Sequence, residues 1–209
     1  ITLISPHQAP GLYEAFGTED FDDLYLKYEA DKTIPKKTVA AQDLFGDLLK
    51  ERAETGRIYI MNLDHCNSHS SFKDKISMSN LCQEITLPTT PIQDIHDDQG
   101  EIALCILSAV NVGGLNDLGE LESICDLAVR ALEQIIDYQD YPVKAAEVST
   151  KRRRSLGVGY IGLAHYLAKH GVKYSDPKAW DLVDRLSEAF QYHLLRASCN
   201  IAMEKGKCE

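Results

Sequence analysis

The sequence has a deficit of basic residues and no long hydrophobic run. Its 22 lysines and arginines face 32 aspartates and glutamates, which gives a net charge of −10. This balance argues against a general binder of nucleic acids or anionic membranes, because phosphate surfaces attract clustered basic side chains. The one basic run, residues 151–154, is local. No apolar stretch approaches the roughly 20 residues of a bilayer span and no basic-then-apolar leader opens the chain, so we predict a cytoplasmic protein.

Dense cysteine spacing, internal repeats and linkers rich in Pro, Gly or Ser are also missing. Six cysteines are spread over 209 residues, unlike the spacing of a secreted disulfide scaffold, so we expect reduced thiols. The absence of linkers and repeats predicts a single α/β unit over residues 1–209. Because the chain begins with Ile1 rather than Met, we expect it to be a piece of a longer protein.

Several segments have apolar residues at helical spacing, and cap signals bound some of them. Gly56 is expected to end one helix, the capping-box residue Asp117 begins another, and Asp176 before Pro177 begins the last. The predicted helices lie at residues 21–28, 41–55, 118–135 and 156–170, and from 177 onward.

Three shorter segments are rich in strand-forming residues: 57–63, 81–87 and 102–110. The polar residues 64–79 have no apolar period and predict a loop. Long helices interleaved with short strands are typical of an α/β fold.

Asn80, Cys82 and Glu84 form the most informative group of reactive side chains. If residues 81–87 are extended, side chains alternate with a period of two, so these three share one face while Leu81 and Ile85 take the other. A thiol then stands between an amide and a carboxylate. A half-buried strand with an ordinary polar face explains the same spacing, so both interpretations stay open on spacing alone.

The Asn-x-Cys-x-Glu motif opens a wider resemblance. Together with six other segments it resembles the large, catalytic subunit of aerobic class I ribonucleotide reductases, over essentially the whole chain and in order. Those segments are TGRIYI at 55–60, DHCN at 64–67, GEIALC at 100–105, DYQDYP at 137–142, RRSLG at 153–157 and YLAKHG at 166–171. The resemblance implies part of a ten-stranded α/β barrel with a catalytic finger loop, incomplete in this chain.

The resemblance also implies the roles of the motif residues. In that family the cysteine lies at the tip of a loop inside the barrel and becomes a thiyl radical. Cys82 would then abstract the ribose 3′ hydrogen, Glu84 would take the 3′-hydroxyl proton as general base, and Asn80 would hydrogen-bond the substrate and Glu84. Asn80, Leu81, Cys82 and Glu84 would together bind the substrate.

Cys105 has two interpretations. Taken alone, a cysteine in a predicted strand is most often a core thiol, because free cysteine is among the most buried residue types. The resemblance implies instead a redox-active cysteine, one of a pair that supplies two electrons and becomes a disulfide, facing the same cavity as Cys82. The family's other member lies upstream of Ile1, and no remaining cysteine of the chain matches it.

Cofactors and partners follow from the resemblance alone. It implies a ribonucleoside diphosphate substrate, no cofactor and no metal bound directly by this segment, and a radical supplied by a small subunit with a dinuclear metal centre. A dithiol reductant, thioredoxin or glutaredoxin, would renew the thiols. The full-length catalytic subunit is expected to be a homodimer whose nucleotide effectors bind outside this segment.

Two motifs offer alternative functions. His65, Cys66 and His69 are metal-capable and would suit a non-catalytic zinc-stabilised interaction module, but no C-x₂₋₄-C pair occurs, and a hydrogen-bonding loop supporting the catalytic segment explains them as well. Residues 157–162 match G-x-G-x-x-G, as in an NAD(P)-dependent oxidoreductase. The residues before them are polar and basic rather than a buried strand, so a helix start whose glycines permit close packing is the simpler prediction.

Overall fold

The N-terminal part of the chain contains two short antiparallel strands, Thr2–Ile4 (β1) and Lys36–Thr38 (β2), with two α-helices between them. The structure, a computed structural model, describes all 209 residues and divides into two units, Ile1–Pro88 and Thr89–Glu209. The Tyr25 hydroxyl accepts the Thr2 N–H at 2.7 Å and donates to the Thr2 carbonyl at 2.9 Å, which ties a helix to β1. The helices of the first unit are Leu12–Ala15 (α1), Phe21–Ala30 (α2), Ala41–Thr55 (α3) and Leu63–Ser68 (α4).

Apolar residues at helical spacing predicted α2 and α3, and a local end signal predicted where α3 stops. Gly56 adopts a left-handed φ of 65° and its N–H bonds to the Arg52 carbonyl, as a helix C-cap should. The strand predicted at 57–63 is wrong, because residues 57–62 pair with no strand, and Tyr59 and Ile60 are about half exposed. The loop predicted at 64–79 is wrong at its start, where α4 forms.

The second unit is built on a parallel pair, Ile106–Asn111 (β3) and Leu156–Ile161 (β4), in which Ile106 lies opposite Leu156. Parallel strands need a long crossover, and here it carries two helices. The helices of this unit are Leu121–Tyr138 (α5), Lys144–Arg153 (α6), Leu163–Lys169 (α7) and Pro177–Lys205 (α8).

The core of the second unit lies where α5, α7 and α8 cover the sheet. Cys125 is fully buried in it, and burial raises the pKa of its thiol. The buried members of this cluster are Val110, Val112, Leu115, Leu121, Cys125, Tyr166, Leu167, Ala179, Leu186 and Phe190.

The predicted elements of the second unit differ from the structure mainly around β4. The helix predicted over 156–170 is wrong in its first half, which is β4, because pairing with β3 overrides local preference. The predicted strand at 102–110 is confirmed as the shorter β3. Asp117 caps a 3₁₀ turn just before α5, accepting the Gly119 N–H at 2.7 Å, and Asp176 precedes α8 as predicted.

The α/β class is confirmed, and each of the two sheets has two strands. Neither sheet closes on itself, so the ten-stranded barrel with a finger loop stays a prediction. The single unit over residues 1–209 also stays a prediction. No helix is both long enough and apolar enough to cross a membrane.

Candidate active site

The thiol of the Asn-x-Cys-x-Glu motif is presented by a tight turn. The Gln83 N–H donates to the Asn80 carbonyl at 3.1 Å, and Gln83 has a left-handed φ of 59°. Leu81 and Cys82 therefore occupy the two central positions of the turn. Both are exposed, and Leu81 is 82% exposed despite its apolar side chain.

Two side chains close the ends of this turn, and we call residues 79–85 the clasped loop. The Asn80 amide oxygen accepts the Ile85 N–H at 3.1 Å, and the Ser79 hydroxyl donates to the Ile85 carbonyl at 2.6 Å. Both hydrogen-bonding groups of the Ile85 backbone are thus satisfied within the loop. Cys82 and Glu84 lie between the tied ends, and both are exposed.

The strand predicted for residues 81–87 is therefore wrong. A left-handed residue and side-chain bonds to the backbone interrupt an extended run, so the period-two argument for a shared face does not apply. The structure nevertheless places Asn80, Leu81, Cys82 and Glu84 in one short loop. That this group faces a substrate stays a prediction. Sequence reasoning missed Ser79, whose position beside Asn80 is a turn signal.

The clasped loop is anchored through Asn67 on α4. The Asn67 amide donates to the carbonyls of Leu63 and Ile76, at 2.9 and 2.8 Å, and accepts the Ile76 N–H at 2.8 Å. Ile76 is 1% exposed and lies three residues before Ser79. Residues 65–69 are thus mostly helix rather than loop, but their hydrogen bonds hold the chain that leads into the clasped loop.

A cavity of about 240 Å³ lies between α4 and the clasped loop. It is lined by Ile60, Met61, Asn62, His65, Cys66, Ser79, Gln83 and Thr86. No group of three or more His, Cys, Asp or Glu side chains in the structure is placed to hold a metal ion, so the zinc alternative finds no ligand set here.

Cys105 directly precedes β3 and is half-buried. The Ile106 N–H donates to the Ser155 carbonyl at 3.1 Å, which fixes the backbone beside the cysteine. Its sulfur lies against Gly157 of β4. Cys105 is only partly buried and lies just before a strand, and both its core interpretation and its redox role stay predictions.

The basic side chains of residues 151–154 form ion pairs with carboxylates of the second unit. Glu101, 4% exposed, accepts from Arg152 at 2.6 Å and from Arg153 at 2.5 Å, and the Arg153 side chain is 8% exposed. Arg154 binds the carboxylates of Glu133 and Asp137, and this contact holds the pKa of Asp137 below its ordinary value. These arginines therefore stabilise the unit instead of forming a basic surface.

We expect Glu101→Ala to destabilise the segment that carries Cys105. The substitution removes the buried carboxylate that Arg152 and Arg153 share, and breaking a buried ion pair costs about 3 kcal/mol or more. Amides of residues 101–107 and 153–158 should then exchange hydrogen about 100-fold faster by mass spectrometry of the full-length protein.

The matched control is Glu147→Ala on α6. Glu147 also binds two basic side chains, Lys144 and Lys151, which lower its pKa to about 2, but this ion pair is exposed to solvent. Exposed pairs contribute little, so exchange should stay near that of the wild type. Equal effects of the two substitutions would contradict a special role for the buried pair.

The glycines at 157–162 do not form a nucleotide-binding turn. Gly157 and Gly159 lie inside β4, and only Gly162, with a φ of 78°, sits at the junction with α7. A dinucleotide-binding motif needs its glycines at the strand-to-helix turn. The predicted helix start is wrong for the same reason. Gly162 does permit close packing, because a Cβ there would clash with the Asn111 amide oxygen.

Comparison with known proteins gives a consistent result over the whole chain. The family described as ribonucleotide reductase, barrel domain, matches residues 1–209. The chain is 58% identical over 214 residues to ribonucleoside-diphosphate reductase subunit alpha of Haemophilus influenzae, and 54% identical over 213 residues to ribonucleoside-diphosphate reductase 1 subunit alpha of Escherichia coli. It is 41% identical over 217 residues to subunit alpha of Enterobacteria phage T4.

Each of these alignments takes in 100% of this chain and 28% of the relative. The chain thus spans a little over a quarter of the length of these relatives. Since the family matches from the first residue to the last, the chain belongs to the ribonucleotide reductase barrel-domain family.

Proposed function

We propose that this chain is the part of a ribonucleoside-diphosphate reductase alpha subunit that carries its thiol chemistry. The reaction is the reduction of ribonucleoside diphosphates to deoxyribonucleoside diphosphates. The observation that carries the proposal is the clasped loop, which holds an exposed Cys82 two residues from Asn80 and two from Glu84 in a chain of this family.

In the proposed first step, Cys82 acts as a thiyl radical. It takes a hydrogen atom from the ribose 3′ carbon, so an S–H bond forms, the C3′–H bond breaks and the unpaired electron passes to C3′. Glu84 accepts the proton of the 3′-hydroxyl, as a positioned carboxylate can. The exposed positions of Cys82 and Glu84 support this, because both groups have to reach a substrate from outside the loop.

Asn80 and Leu81 are proposed to position the substrate. The Asn80 amide oxygen is engaged with the Ile85 N–H, which leaves its NH₂ group as the donor for a substrate oxygen. A neutral amide orients a substrate without competing for protons. The exposed Leu81 side chain supplies an apolar surface next to the thiol.

Cys105 is proposed to supply reducing equivalents. In the balanced reaction, two thiols lose two hydrogens and form a disulfide, while the 2′-hydroxyl leaves as water and a hydrogen takes its place. Cys105 is one of those thiols, and its partner belongs to the part of the relatives that this chain does not span. Disulfide geometry requires that partner within a Cα separation of about 4.4 to 6.8 Å.

The partners, the oligomeric state and the location are also proposals. The relatives are named as alpha subunits, which supports a second, small subunit that supplies the radical from its dinuclear metal centre. Thioredoxin or glutaredoxin is the proposed reductant. We also propose a homodimer of the full-length subunit, effector sites outside residues 1–209 and a cytoplasmic location.

Glu84→Gln tests the proposed base. Glutamine keeps the shape of the side chain and cannot accept the proton, so turnover of the full-length enzyme should fall by about 10²- to 10⁴-fold. Glu51→Gln on α3 is the control, since Glu51 is exposed outside the clasped loop and its substitution should leave turnover unchanged. A near wild-type rate for Glu84→Gln would leave Glu84 with a structural role only.

A further inference from the structure

We propose that Gly157 is a positioning residue for the Cys105 thiol, and that β4 lacks a side chain at this point in order to seat the sulfur. This inference rests on the proposed redox function of Cys105. It also assigns a role to the first glycine of the 157–162 motif, which forms no nucleotide-binding turn.

The close packing around Gly157 supports this proposal. A Cβ at this position would lie 3.0 Å from the Cys105 sulfur and 2.5 Å from the Cδ2 of Leu107. Ordinary contacts between non-bonded heavy atoms begin near 3.5 Å, so both neighbours would have to move. Leu107 is 57% exposed and its end can rotate into solvent, whereas the sulfur is held on a short side chain.

The backbone on either side of Cys105 gives the sulfur little freedom to retreat. The Ile106 N–H donates to the Ser155 carbonyl at 3.1 Å, and the Ile102 N–H donates to the Ala145 carbonyl at 3.2 Å. Glu101, four residues before the cysteine, is fixed by the arginines of the basic run. A side chain at residue 157 would therefore displace the thiol chiefly by rotation about its Cα–Cβ bond.

Gly159 provides the contrast on the same strand. It lies two residues further along β4, on the same face of the sheet, and a Cβ there would meet no atom within 4 Å. Glycine weakens a strand interior relative to residues with side chains. Strand geometry alone therefore does not require glycine at 157 any more than at 159. The two positions differ in their neighbours, which at 157 are the Cys105 sulfur and the flexible end of Leu107.

The experiment uses the full-length reduced subunit with Ala or Val at residue 157, and the same pair at residue 159. The rate of Cys105 alkylation by iodoacetamide, followed by peptide mass spectrometry, reports the thiol independently of turnover. We expect that rate to change about threefold for Gly157→Ala and more for Gly157→Val. Turnover with a dithiol should fall by a factor between about 10 and 100, since displacing a reacting group such as this thiol by about 1 Å can cost that much.

Alkylation of Cys82 in the position 157 variants, and all readouts of the position 159 variants, should match the wild type. Valine favours strands, so a loss confined to position 157 is not a strand-propensity effect. If Gly157→Val fails to fold, Gly157→Ala decides the question by the same readouts. Wild-type alkylation and turnover in Gly157→Ala would overturn the inference.

The double variant Gly157→Ala with Leu107→Ala separates the two crowded neighbours. Shortening Leu107 removes its contact and leaves the contact with Cys105, so we expect the altered alkylation rate to persist relative to Leu107→Ala alone. Full recovery would show that Leu107 was the cause and would overturn the inference. Normal turnover of Cys105→Ser would instead refute the proposed redox function, an outcome distinct from either result at Gly157.

Discussion

Replacement of Cys82 by serine is expected to abolish deoxyribonucleotide formation in the full-length enzyme. A serine hydroxyl has nearly the same shape, but its O–H bond is far too strong for the oxygen to carry the radical and exchange hydrogen with a ribose carbon. The turn should survive the substitution, because its ends are held by Ser79 and Asn80 and not by the cysteine. Product should therefore be undetectable while substrate binding stays close to that of the wild type.

Cys199→Ser is the matched control for this experiment. Cys199 is also exposed, but it lies on α8, so its substitution should leave both turnover and binding unchanged. Product formation by chromatography and binding by equilibrium dialysis separate loss of chemistry from loss of affinity. Retained turnover in Cys82→Ser would be incompatible with a thiyl radical at this residue.

Replacement of Cys105 by serine is expected to stop the reaction at a later stage. Cys82 and Glu84 remain, so hydrogen abstraction from the substrate still takes place. The reducing pair has lost one thiol and cannot form its disulfide, so the substrate radical should lead to enzyme inactivation or release of the nucleobase. Normal deoxyribonucleotide should be absent.

Free base, deoxyribonucleotide and remaining activity should be measured in the same incubation. Base release or inactivation that depends on the radical-supplying subunit distinguishes Cys105→Ser from Cys82→Ser, in which substrate should stay intact. If Cys105→Ser makes product at the wild-type rate with a dithiol reductant, the redox assignment is wrong and Cys105 has only a packing role.

Short-range signals predicted several element ends. Gly56 ends α3 because a left-handed residue is needed there, and Asp176 before Pro177 marks the start of α8 because both residues suit a helix N-terminus. These features depend on a few neighbouring residues, and sequence is sufficient for them. The same is true of the capping residue Asp117, although its first turn is 3₁₀ rather than α.

Predictions that depended on distant partners were less successful. Residues 57–62 have strand-forming side chains but no pairing strand, whereas Gly157 and Gly159 lie in a strand because β3 pairs with them. The contact of Glu101 with Arg153 joins residues 52 positions apart. No local pattern indicates such pairings.

The same contrast between local signals and long-range contacts applies to the candidate site. Residue types and spacing drew attention to Asn80, Cys82 and Glu84 but left an ordinary polar strand face equally open. Only the resemblance to the reductase family favoured a catalytic group. The shape of the loop was not predicted, since it depends on the Asn80 amide turning back to Ile85 instead of joining an extended face. The closeness of Gly157 to Cys105 is a consequence of strand register, which the sequence motif did not reveal.

The most direct test is a structure of the full-length alpha subunit with a ribonucleoside diphosphate bound. We expect C3′ of the ribose to lie in van der Waals contact with the Cys82 sulfur and the 3′-hydroxyl to lie within hydrogen-bonding distance of the Glu84 carboxylate. A ribose bound away from residues 79–85, or a Cys82 thiol turned away from C3′, would contradict this expectation.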